Sequence, residues 1–512
     1  MEKILWADDE IDLLKPHIMF LKNKGYEVTT VSNGRDALDA LDADRYNLIL
    51  LDENMPGLSG LETLSRINQS HPEVPVIMIT KSEEENLMNQ AIGNQIADYL
   101  IKPVNPNQIL LSIKKNLHSG ELVAAQTSSD YQQDFMKISS RINVASSIED
   151  WMEVYKHLVY WEMKLSGSDN RMNELLLMQK RDANSSFCKF VKKEYEKWVT
   201  SDNHPLMSHE LFKKKVFPLL DDGRKVCFLL IDNFRLDQWK VLQPLLNDIF
   251  DSQEELYTTI LPTSTQYARN AIFAGLMPLQ IATMYPKLWV EEDEDEGLNV
   301  HEEELVRTQL ERFRRKEKFS YSKLNDSSAG EKFLHRLNEL KNIPLNVVVL
   351  NFIDMLSHAR TESKMIRELA NSDAAYRSLT ESWFRHSSSI EIFRRLAELG
   401  FTVIVTTDHG TIRVDNPIKV IGDRNTNTNL RYKVGKSLNY NPKQVYEMIQ
   451  PKKFGLPAPD LSSRFIFACN EDFFSYPNNY NYYVQYYTGT FQHGGISMQE
   501  MLVPFITLTP KR

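Results

Sequence analysis

The sequence predicts an α/β protein with two mostly parallel sheets and a helical bundle between them. Short apolar, β-branched runs alternate with amphipathic segments in residues 1–118 and again in residues 211–512. This alternation is typical of parallel strands that are joined by helices. Residues 119–210 instead carry apolar side chains at spacings of three and four, which indicates packed helices. A chain of 512 residues also has the length of about three domains.

The composition is that of a globular protein of a reducing compartment. Hydrophobic residues make up 42% and charged residues 25% of the chain, and the net charge of -9 argues against a general nucleic-acid coat. Three cysteines, Cys188, Cys227 and Cys469, are too few and too scattered for a disulfide framework or a cysteine zinc site. Acidic residues stand where a signal peptide has its apolar core, and the longest apolar run, 347–355, is too short to span a bilayer. We therefore expect a cytoplasmic protein without a transmembrane segment.

Five strands are predicted in the first domain, at residues 3–7, 27–31, 47–51, 76–80 and 98–101. Polar residues follow or end four of them, namely Asp8, Asp9, Asp52, Thr80 and Lys102. The carboxyl ends of parallel strands form one crevice, so these side chains are expected to converge. Three carboxylates at one place repel one another, and a hard divalent cation such as Mg²⁺ would relieve that repulsion. A carboxylate beside Mg²⁺ can also attack a phosphoryl donor.

This set resembles the receiver domain of response regulators, which has a flavodoxin-like fold. The resemblance covers about residues 1–117 and includes the segment LDENMPG around Asp52 and the dipeptide Lys102-Pro103. It implies that Asp52 accepts the phosphoryl group, that the peptide bond before Pro103 is cis, and that Asp8, Asp9 and Asp52 bind Mg²⁺.

The resemblance also implies a partner and a signalling route. A histidine kinase would phosphorylate the domain, and Thr80, Tyr99 and Lys102 would transmit the change to the face of helix four, strand five and helix five. Phosphorylation-dependent homodimerisation would follow. Lys81 departs from the pattern, because receivers usually carry a small residue after the threonine.

Residues of metal-ligand type recur in the third domain. Apolar runs at residues 225–231, 346–353 and 401–407 each lead to an aspartate and predict buried parallel strands. The candidate ligands are Asp232, Asp354, His358, Asp408, His409 and His493. Each residue alone would more often be structural, but three carboxylates and three imidazoles together suit two zinc ions.

A loop with three hydroxyls precedes a predicted helix between the first two of these strands. Thr263, Ser264 and Thr265 stand near the helix N-terminus, where an anion is favoured and a nucleophile can be activated. An ordinary serine or threonine helix cap explains the same residues. Arg269 and Asn270 follow one turn later and would either contact a phosphate or pack the helix.

Together these residues resemble the alkaline-phosphatase superfamily, in particular its PglZ-type branch, over about residues 221–512. The resemblance implies a site A made of Asp232, Asp408 and His409, with Thr265 bridging to the metal as the nucleophile. It implies a site B made of Asp354, His358 and His493. Thr263 and Ser264 remain alternatives to Thr265. The implied reaction is two in-line displacements at phosphorus, and no third carboxylate set of the kind that phosphomonoesterases add is evident, which favours diesters of nucleotides or oligonucleotides.

The order of receiver, helical segment and PglZ-type domain resembles the PorX-type response regulators, which control type IX protein secretion. This implies contacts with secretion components and a sigma factor, and no DNA-binding domain is recognisable. Two alternatives stay open. One is a signalling adaptor that acts by protein contact and has a structural zinc site, and the other is a phosphomonoesterase.

Overall fold

A computed structural model describes residues 2–511, apart from residues 82–84, 167–169, 291–298, 363, 423–425 and 459–461. The chain divides into two compact units, Met1–Asp130 and Tyr131–Arg512. The predicted limits of three domains, at residues 1–118, 119–210 and 211–512, remain predictions. No helix within the described residues is long and apolar enough to cross a membrane.

The first unit is a five-stranded parallel sheet with helices on both faces. The strands are β1 (Lys3–Ala7), β2 (Glu27–Val31), β3 (Leu48–Asp52), β4 (Val76–Thr80) and β5 (Asp98–Ile101). Their order in the sheet is β2-β1-β3-β4-β5. The helices are α1 (Lys15–Asn23), α2 (Gly34–Ala43), α3 (Gly60–Ser70), α4 (Glu85–Gly93) and the start of α5 (Pro106–Val144). Every residue of β3 and β4 is buried, because helices cover both faces of the sheet.

The helical region consists of the end of α5, α6 (Ile148–Lys164) and α7 (Asn170–Thr200). The small, polar residues 120–130 lie within the continuous helix α5. Ser147 begins α6 with a capping box that it shares with Asp150. Apolar residues of α6 and α7 belong to the same buried core as the strands of the third domain.

A six-stranded mixed sheet forms the centre of the second unit. Its strands are β6 (Lys225–Ile231), β7 (Phe250–Thr258), β8 (Phe319–Leu324), β9 (Leu345–Leu350), β10 (Phe401–Thr406) and, late in the chain, β18 (Leu502–Pro510). They are ordered β7-β18-β10-β6-β9-β8. The β10, β6, β9 and β8 strands are parallel, whereas β18 is antiparallel to both β10 and β7.

Three small sheets lie beyond β10. They contain β11 (Ile412–Arg413), β12 (Asn416–Lys419), β13 (Tyr432–Gly435), β14 (Val445–Met448), β15 (Arg464–Ala468), β16 (Asp472–Ser475) and β17 (Phe491–Gln492). The pairings are β11 with β17, β12 with β16, and β13 and β14 with β15.

Helices surround these sheets and carry several of the candidate site residues. They are α8 (Phe217–Asp221), α9 (Leu236–Leu246), α10 (Thr265–Ala274), α11 (Pro278–Met284), α12 (Glu302–Arg312), α13 (Ser327–Leu340), α14 (Phe352–Glu362), α15 (Lys364–Leu369), α16 (Asp373–His386), α17 (Ser389–Glu398), α18 (Tyr480–Tyr487) and α19 (Met498–Met501).

Two expectations from the sequence need correction. The strand expected at residues 346–353 ends at Leu350, and Asp354 therefore lies in the first turn of α14 rather than at the strand end. The three cysteines were judged too few and too scattered for a disulfide framework, but Cys188 and Cys469 form one disulfide across 281 residues of sequence. Cys227 is buried and unpaired, and burial raises the pKa of its thiol to about 12.

Candidate metal centres

The predicted acidic site of the first unit is assembled at the carboxyl ends of its strands. Carboxylate oxygens of Asp8, Asp9 and Asp52 lie within 4.8 Å of one another. The Nζ atom of Lys102 lies 2.7 Å from Asp8 and 3.2 Å from Asp52. Strands β1, β3 and β5 position these residues, because their parallel ends meet at one edge of the sheet.

The charges at this site do not balance. Burial raises the pKa of Asp52 to about 6, although Lys102 opposes the rise, and Asp8 and Asp9 add to it. One lysine thus faces three carboxylates. Carboxylate oxygens are the ligands that Mg²⁺ prefers, so the donor set fits that ion.

The remaining receiver residues lie around the same edge. Thr80 is fully buried at the end of β4, and Tyr99 pairs with Met78 in the neighbouring strand. The Lys102–Pro103 peptide bond is cis, as the resemblance implied. Lys81, the departure from the receiver pattern, forms an ion pair with Glu10 at 2.6 Å.

Site A is built at the ends of two adjacent parallel strands. Asp232 follows β6, and Asp408 and His409 follow β10. Their ligand atoms all lie within 4.8 Å of one another. Thr265, the first residue of α10, places its Oγ1 atom 3.1 Å from Nε2 of His409. The candidate nucleophile therefore contacts the candidate ligands directly.

Site B lies against site A. Asp354 and His358 are one turn apart on α14, and His493 follows β17. The Nε2 atoms of His358 and His493 lie 3.4 and 3.8 Å from carboxylate oxygens of Asp354. The rings of His409 and His493 stack with their centroids 4.2 Å apart. The two sets of three ligands thus form one continuous centre.

The hydrogen bonds of two histidines match those of zinc ligands. Nδ1 of His409 lies 3.1 Å from the carbonyl oxygen of Gly410, and Nδ1 of His493 lies 3.2 Å from that of Thr263. A carbonyl only accepts, so each Nδ1 donates its proton there and Nε2 is the ring nitrogen that is left to face a metal. Metal-binding histidines usually donate their second ring N–H in this way. With three carboxylates, this donor set fits zinc.

Arg269 neutralises part of the negative charge at site A. Its guanidinium contacts Asp232, and it also lies 2.9 Å from Asp408 and 3.2 Å from Glu302. Burial nevertheless raises the pKa of Asp232 well above its usual range, with Arg269 opposing and the nearby Asp408 and Asp354 adding to the rise. The Oδ1 atom of Asp232 is buried and accepts no hydrogen bond from the described residues. A divalent cation would offset this excess of negative charge.

The three hydroxyls of the loop before α10 have different partners. Thr263 Oγ1 donates to the carbonyl of Gly495 at 2.9 Å and accepts from the N–H of Gly494 at 3.0 Å. Ser264 is the N-cap residue of α10, but its side chain makes no capping hydrogen bond. Thr263 is thus engaged with two backbone groups, whereas the Thr265 hydroxyl contacts His409. Which of the three hydroxyls attacks phosphorus remains a prediction.

The other residue predicted near a phosphate has a different environment. Asn270 accepts a hydrogen bond from Asn299 at 3.1 Å through its Oδ1 atom, and it is buried. The phosphate role of Asn270 and Arg269 remains a prediction.

Sequence reasoning missed two buried residues of the centre. Asn233 adopts a left-handed conformation with φ 62°, and its Nδ2 donates to Asp354 at 3.2 Å. Glu302 contacts Arg269 and lies 3.0 Å from Lys323. An asparagine directly after a strand-end aspartate is a signal for such a turn. Glu302 gave no signal, because it stands in an acidic run that is typical of a solvated helix.

Comparison with protein families agrees with this architecture. Family models match the response regulator receiver domain at residues 4–114, the PorX response regulator linker domain at 121–199, and the BREX system PglZ alkaline phosphatase-like domain at 211–508. The protein is thus a response regulator with a phosphatase-like output domain, and its receiver implies a sensor kinase as partner. The chain belongs to the PglZ alkaline phosphatase-like family, with the domain order of a PorX-type regulator.

Curated relatives match the first part of the chain. The alkaline phosphatase synthesis transcriptional regulatory protein PhoP of Bacillus subtilis is 30% identical over 156 residues, which is 30% of this chain and 63% of that protein. The transcriptional regulatory protein SrrA of Staphylococcus aureus is 27% identical over 135 residues, 26% of this chain and 56% of that protein. The chain thus covers less than two thirds of either relative.

Solved receiver structures overlap the same region. A CheY-like receiver domain protein from Methanospirillum hungatei is 28% identical, with a TM-score of 0.23. The match covers 24% of this chain and 97% of that protein's chain. The response regulator TrrA from Thermotoga maritima is 30% identical, with a TM-score of 0.22, and covers 23% of this chain and 100% of its own. Because these TM-scores are below 0.5, no argument rests on the overlap.

Proposed function

We propose that this protein is phosphorylated on Asp52 by a sensor histidine kinase and that its PglZ-type domain is a zinc-dependent phosphodiesterase acting on nucleotides or oligonucleotides. The observation that carries the proposal is the contact of Thr265 Oγ1 with His409 Nε2 at 3.1 Å, at a centre where two sets of three metal-ligand residues adjoin. A purely structural zinc site would not need a hydroxyl in that position.

The ligands of sites A and B and the hydroxyl of Thr265 have different roles in the proposed reaction. Zinc ions held by Asp232, Asp408 and His409, and by Asp354, His358 and His493, would supply Lewis-acid stabilisation of the attacking and leaving oxygens. Thr265 forms a bond to phosphorus while the bond to the first alcohol breaks, and water then cleaves the Thr265 ester. The N-terminus of α10 favours the phosphate anion beside Thr265.

The ion pairs of a further acidic cluster in the second unit favour diester substrates over monoester substrates. The structure contains a further acidic cluster of Glu162, Asp237 and Asp373. Lys180, Arg235 and Arg377 form ion pairs with these three residues at 2.6 to 3.1 Å. Three cations already balance three carboxylates, so this cluster does not supply the additional magnesium site expected of a phosphomonoesterase.

In this proposal, phosphorylation of the receiver domain is the signal that the protein receives. Mg²⁺ at Asp8, Asp9 and Asp52 would neutralise charge during phosphoryl transfer. The Asp52 carboxylate forms a bond to phosphorus while the P–N bond to the kinase's phosphohistidine breaks and the imidazole leaves, and Lys102 and Thr80 bind the new phosphate oxygens. The resemblance to PorX-type regulators further supports phosphorylation-dependent homodimerisation, a cytoplasmic location, and regulation of type IX secretion through secretion components and a sigma factor.

An assay panel with added zinc tests this function. It compares a nitrophenyl monoester, a nitrophenyl diester and cyclic dinucleotides, each with and without a chelator. The expected result is chelator-sensitive hydrolysis of the diester and the dinucleotides, with little monoester hydrolysis. Preference for the monoester would identify a phosphomonoesterase, and no hydrolysis of any substrate by the zinc-loaded protein would favour an adaptor.

A further inference from the structure

Helix α18 presents an exposed ladder of tyrosines. Its sequence places tyrosines four residues apart, so that Tyr482 stacks on Tyr486 and Tyr483 on Tyr487, with ring centroids 6.0 and 6.1 Å apart. These four residues form what is called here the tyrosine ladder. Tyr482 is 62% and Tyr483 38% exposed. Exposed clusters of large aromatic side chains are typical of binding surfaces.

The ladder is connected to the predicted zinc centre on two sides. Tyr487 precedes His493 by six residues. The guanidinium of Arg367 lies over the ring of Tyr486 at 5.1 Å, and its helix α15 directly follows α14, which carries His358. His358 is itself 67% exposed, so site B is open to the surface at this residue.

Exposed apolar residues also lie on α14 and α15. Met355 lies three residues before His358 on α14, and Met365 and Leu369 lie on α15; all three side chains are exposed. Residues three apart on a helix share a face, so Met355 and His358 border the same surface. His358 lies on α14, Arg367 on α15 and the ladder on α18, so the ladder and this ligand of site B are carried by different helices.

Cations accompany the aromatic rings. Besides Arg367 over Tyr486, the Nζ atom of Lys419 lies 4.7 Å from the ring centroid of Tyr480, at the start of α18. Stacked aromatic faces with flanking cations suit a single-stranded nucleic acid, whose bases stack on rings and whose phosphates are negative.

We infer that the tyrosine ladder is a base-stacking subsite for oligonucleotide substrates whose scissile diester lies at sites A and B. This inference rests on the proposed phosphodiesterase function and adds the substrate's length preference. Bases that lie beyond the scissile nucleotide stack on Tyr482 and Tyr483, while the more buried Tyr486 and Tyr487 support these two rings. A nitrophenyl diester is too small to reach the ladder, so only oligonucleotides benefit from it.

The test uses the full-length, zinc-loaded protein with Tyr482→Ala, Tyr483→Ala and Tyr482→Phe. The probes are a tetrathymidylate, its phosphorothioate analogue and a nitrophenyl diester. Loss of one stacking base contact predicts a roughly five- to hundredfold weaker binding of the phosphorothioate and a similar rise in KM for the tetranucleotide. Turnover of the nitrophenyl diester should stay unchanged, and Tyr482→Phe should bind like the wild type, because phenylalanine keeps the aromatic face.

Tyr160→Ala is the matched control. Tyr160 is 49% exposed on α6 and also has a lysine, Lys164, near its ring at 5.9 Å, so it reproduces the exposure and the cation contact of the ladder. If Tyr482→Ala and Tyr483→Ala bind the phosphorothioate as tightly as wild type and Tyr160→Ala, the inference is overturned. If wild type binds the phosphorothioate through the ladder but cleaves no diester, the stacking subsite stands and the proposed phosphodiesterase function fails.

Discussion

Glu162 of α6 and Arg377 of α16 form an ion pair of 2.6 Å that joins the helical region to the phosphatase-like domain. Lys180 lies 2.7 Å from the other carboxylate oxygen of Glu162, and Arg377 also contacts Asp237 at 3.1 Å. Asp237 in turn binds Arg235, three residues after Asp232 of site A. A charged network thus runs from the helical region to the loop that carries a candidate zinc ligand.

Removal of the Glu162 charge should destabilise the second unit. In Glu162→Gln, Lys180 loses its ion-pair partner in a mostly buried place and Arg377 keeps only its contact with Asp237 among these pairs. Breaking a buried pair typically costs about 3–5 kcal/mol. We expect a loss of about 3 kcal/mol in the free energy of unfolding, measured with urea. Glu153→Gln on the same helix removes an exposed pair with Lys156 and should have little effect. Equal stability of the two variants would contradict the network's role.

Asp52→Ala should abolish phosphoryl uptake from acetyl phosphate. The attacking carboxylate is lost, whereas Asp8 and Asp9 still offer oxygen ligands. Phosphate-affinity electrophoresis measures the modified fraction, and Asp12→Ala, at an exposed position, is the control. The same Asp52 variant should no longer dimerise on addition of a phosphoryl mimic. Wild-type labelling of Asp52→Ala would refute the phosphoacceptor assignment.

His358→Ala and His493→Ala should each lose about one zinc ion per chain. Both residues belong to site B, where the remaining ligands bind zinc more weakly. Elemental analysis after dialysis measures the metal content. His386→Ala is the matched control, because His386 is exposed and its Nδ1 atom lies 2.8 Å from the carbonyl oxygen of Ser382. Full metal content in both site B variants would exclude them as ligands.

Thr265→Ala should reduce diester hydrolysis by several orders of magnitude and leave the metal content unchanged. The variant lacks the attacking hydroxyl but keeps all six nitrogen and carboxylate ligands. Ser264→Ala should remain active, since Ser264 makes no capping hydrogen bond, whereas Thr263→Ala should lose stability because Thr263 bonds two backbone groups. Retention of more than about a tenth of the activity, a barrier change below ~1.4 kcal/mol, would show that another group attacks.

Asp472 should make stability depend on pH in weakly acidic solution. Burial raises its pKa from an ordinary 3.8 to about 6, against the opposing effect of Arg431. Between these values the folded chain holds a proton that the unfolded chain has released, so the contribution of Asp472 falls as the pH rises. Asp472→Asn should raise the free energy of unfolding by about 1–3 kcal/mol at pH 8 and have no effect near pH 4. Urea titrations at both pH values, with Asp248→Asn as an exposed control, would disprove this if the difference were the same at each pH.

Parts of the fold were predictable because buried parallel strands have a plain sequence pattern. The apolar runs that end at Asp52, Asp232 and Asp408 gave both the strands and the edge where ligands meet. Strand β7 was not predicted, because an edge strand exposes one side and its residues 251–255 are polar. Whether a strand could be predicted from the sequence thus depended on how fully its residues are buried.

The residues of the candidate site could be predicted only where they lie close to one another in the sequence. Asp354 and His358 are one turn apart, and Asp408 and His409 are adjacent. The roles of Glu302 and of the Cys188–Cys469 pair depend on contacts across the fold, and no local pattern encodes them. The metal content, the zinc ligands and the nucleophile remain predictions that the experiments above test.

The position of β18 bears on how the protein is made. Residues 502–510 lie between β7 and β10, in the interior of the six-stranded sheet. During synthesis the ribosome delivers β7 about 250 residues before this neighbour. The receiver can fold while translation continues, but the six-stranded sheet closes only after β18 has left the exit tunnel. Until then β7 and β10 each lack β18 as a hydrogen-bonding neighbour, and exposed strand edges of this kind can pair with other polypeptides.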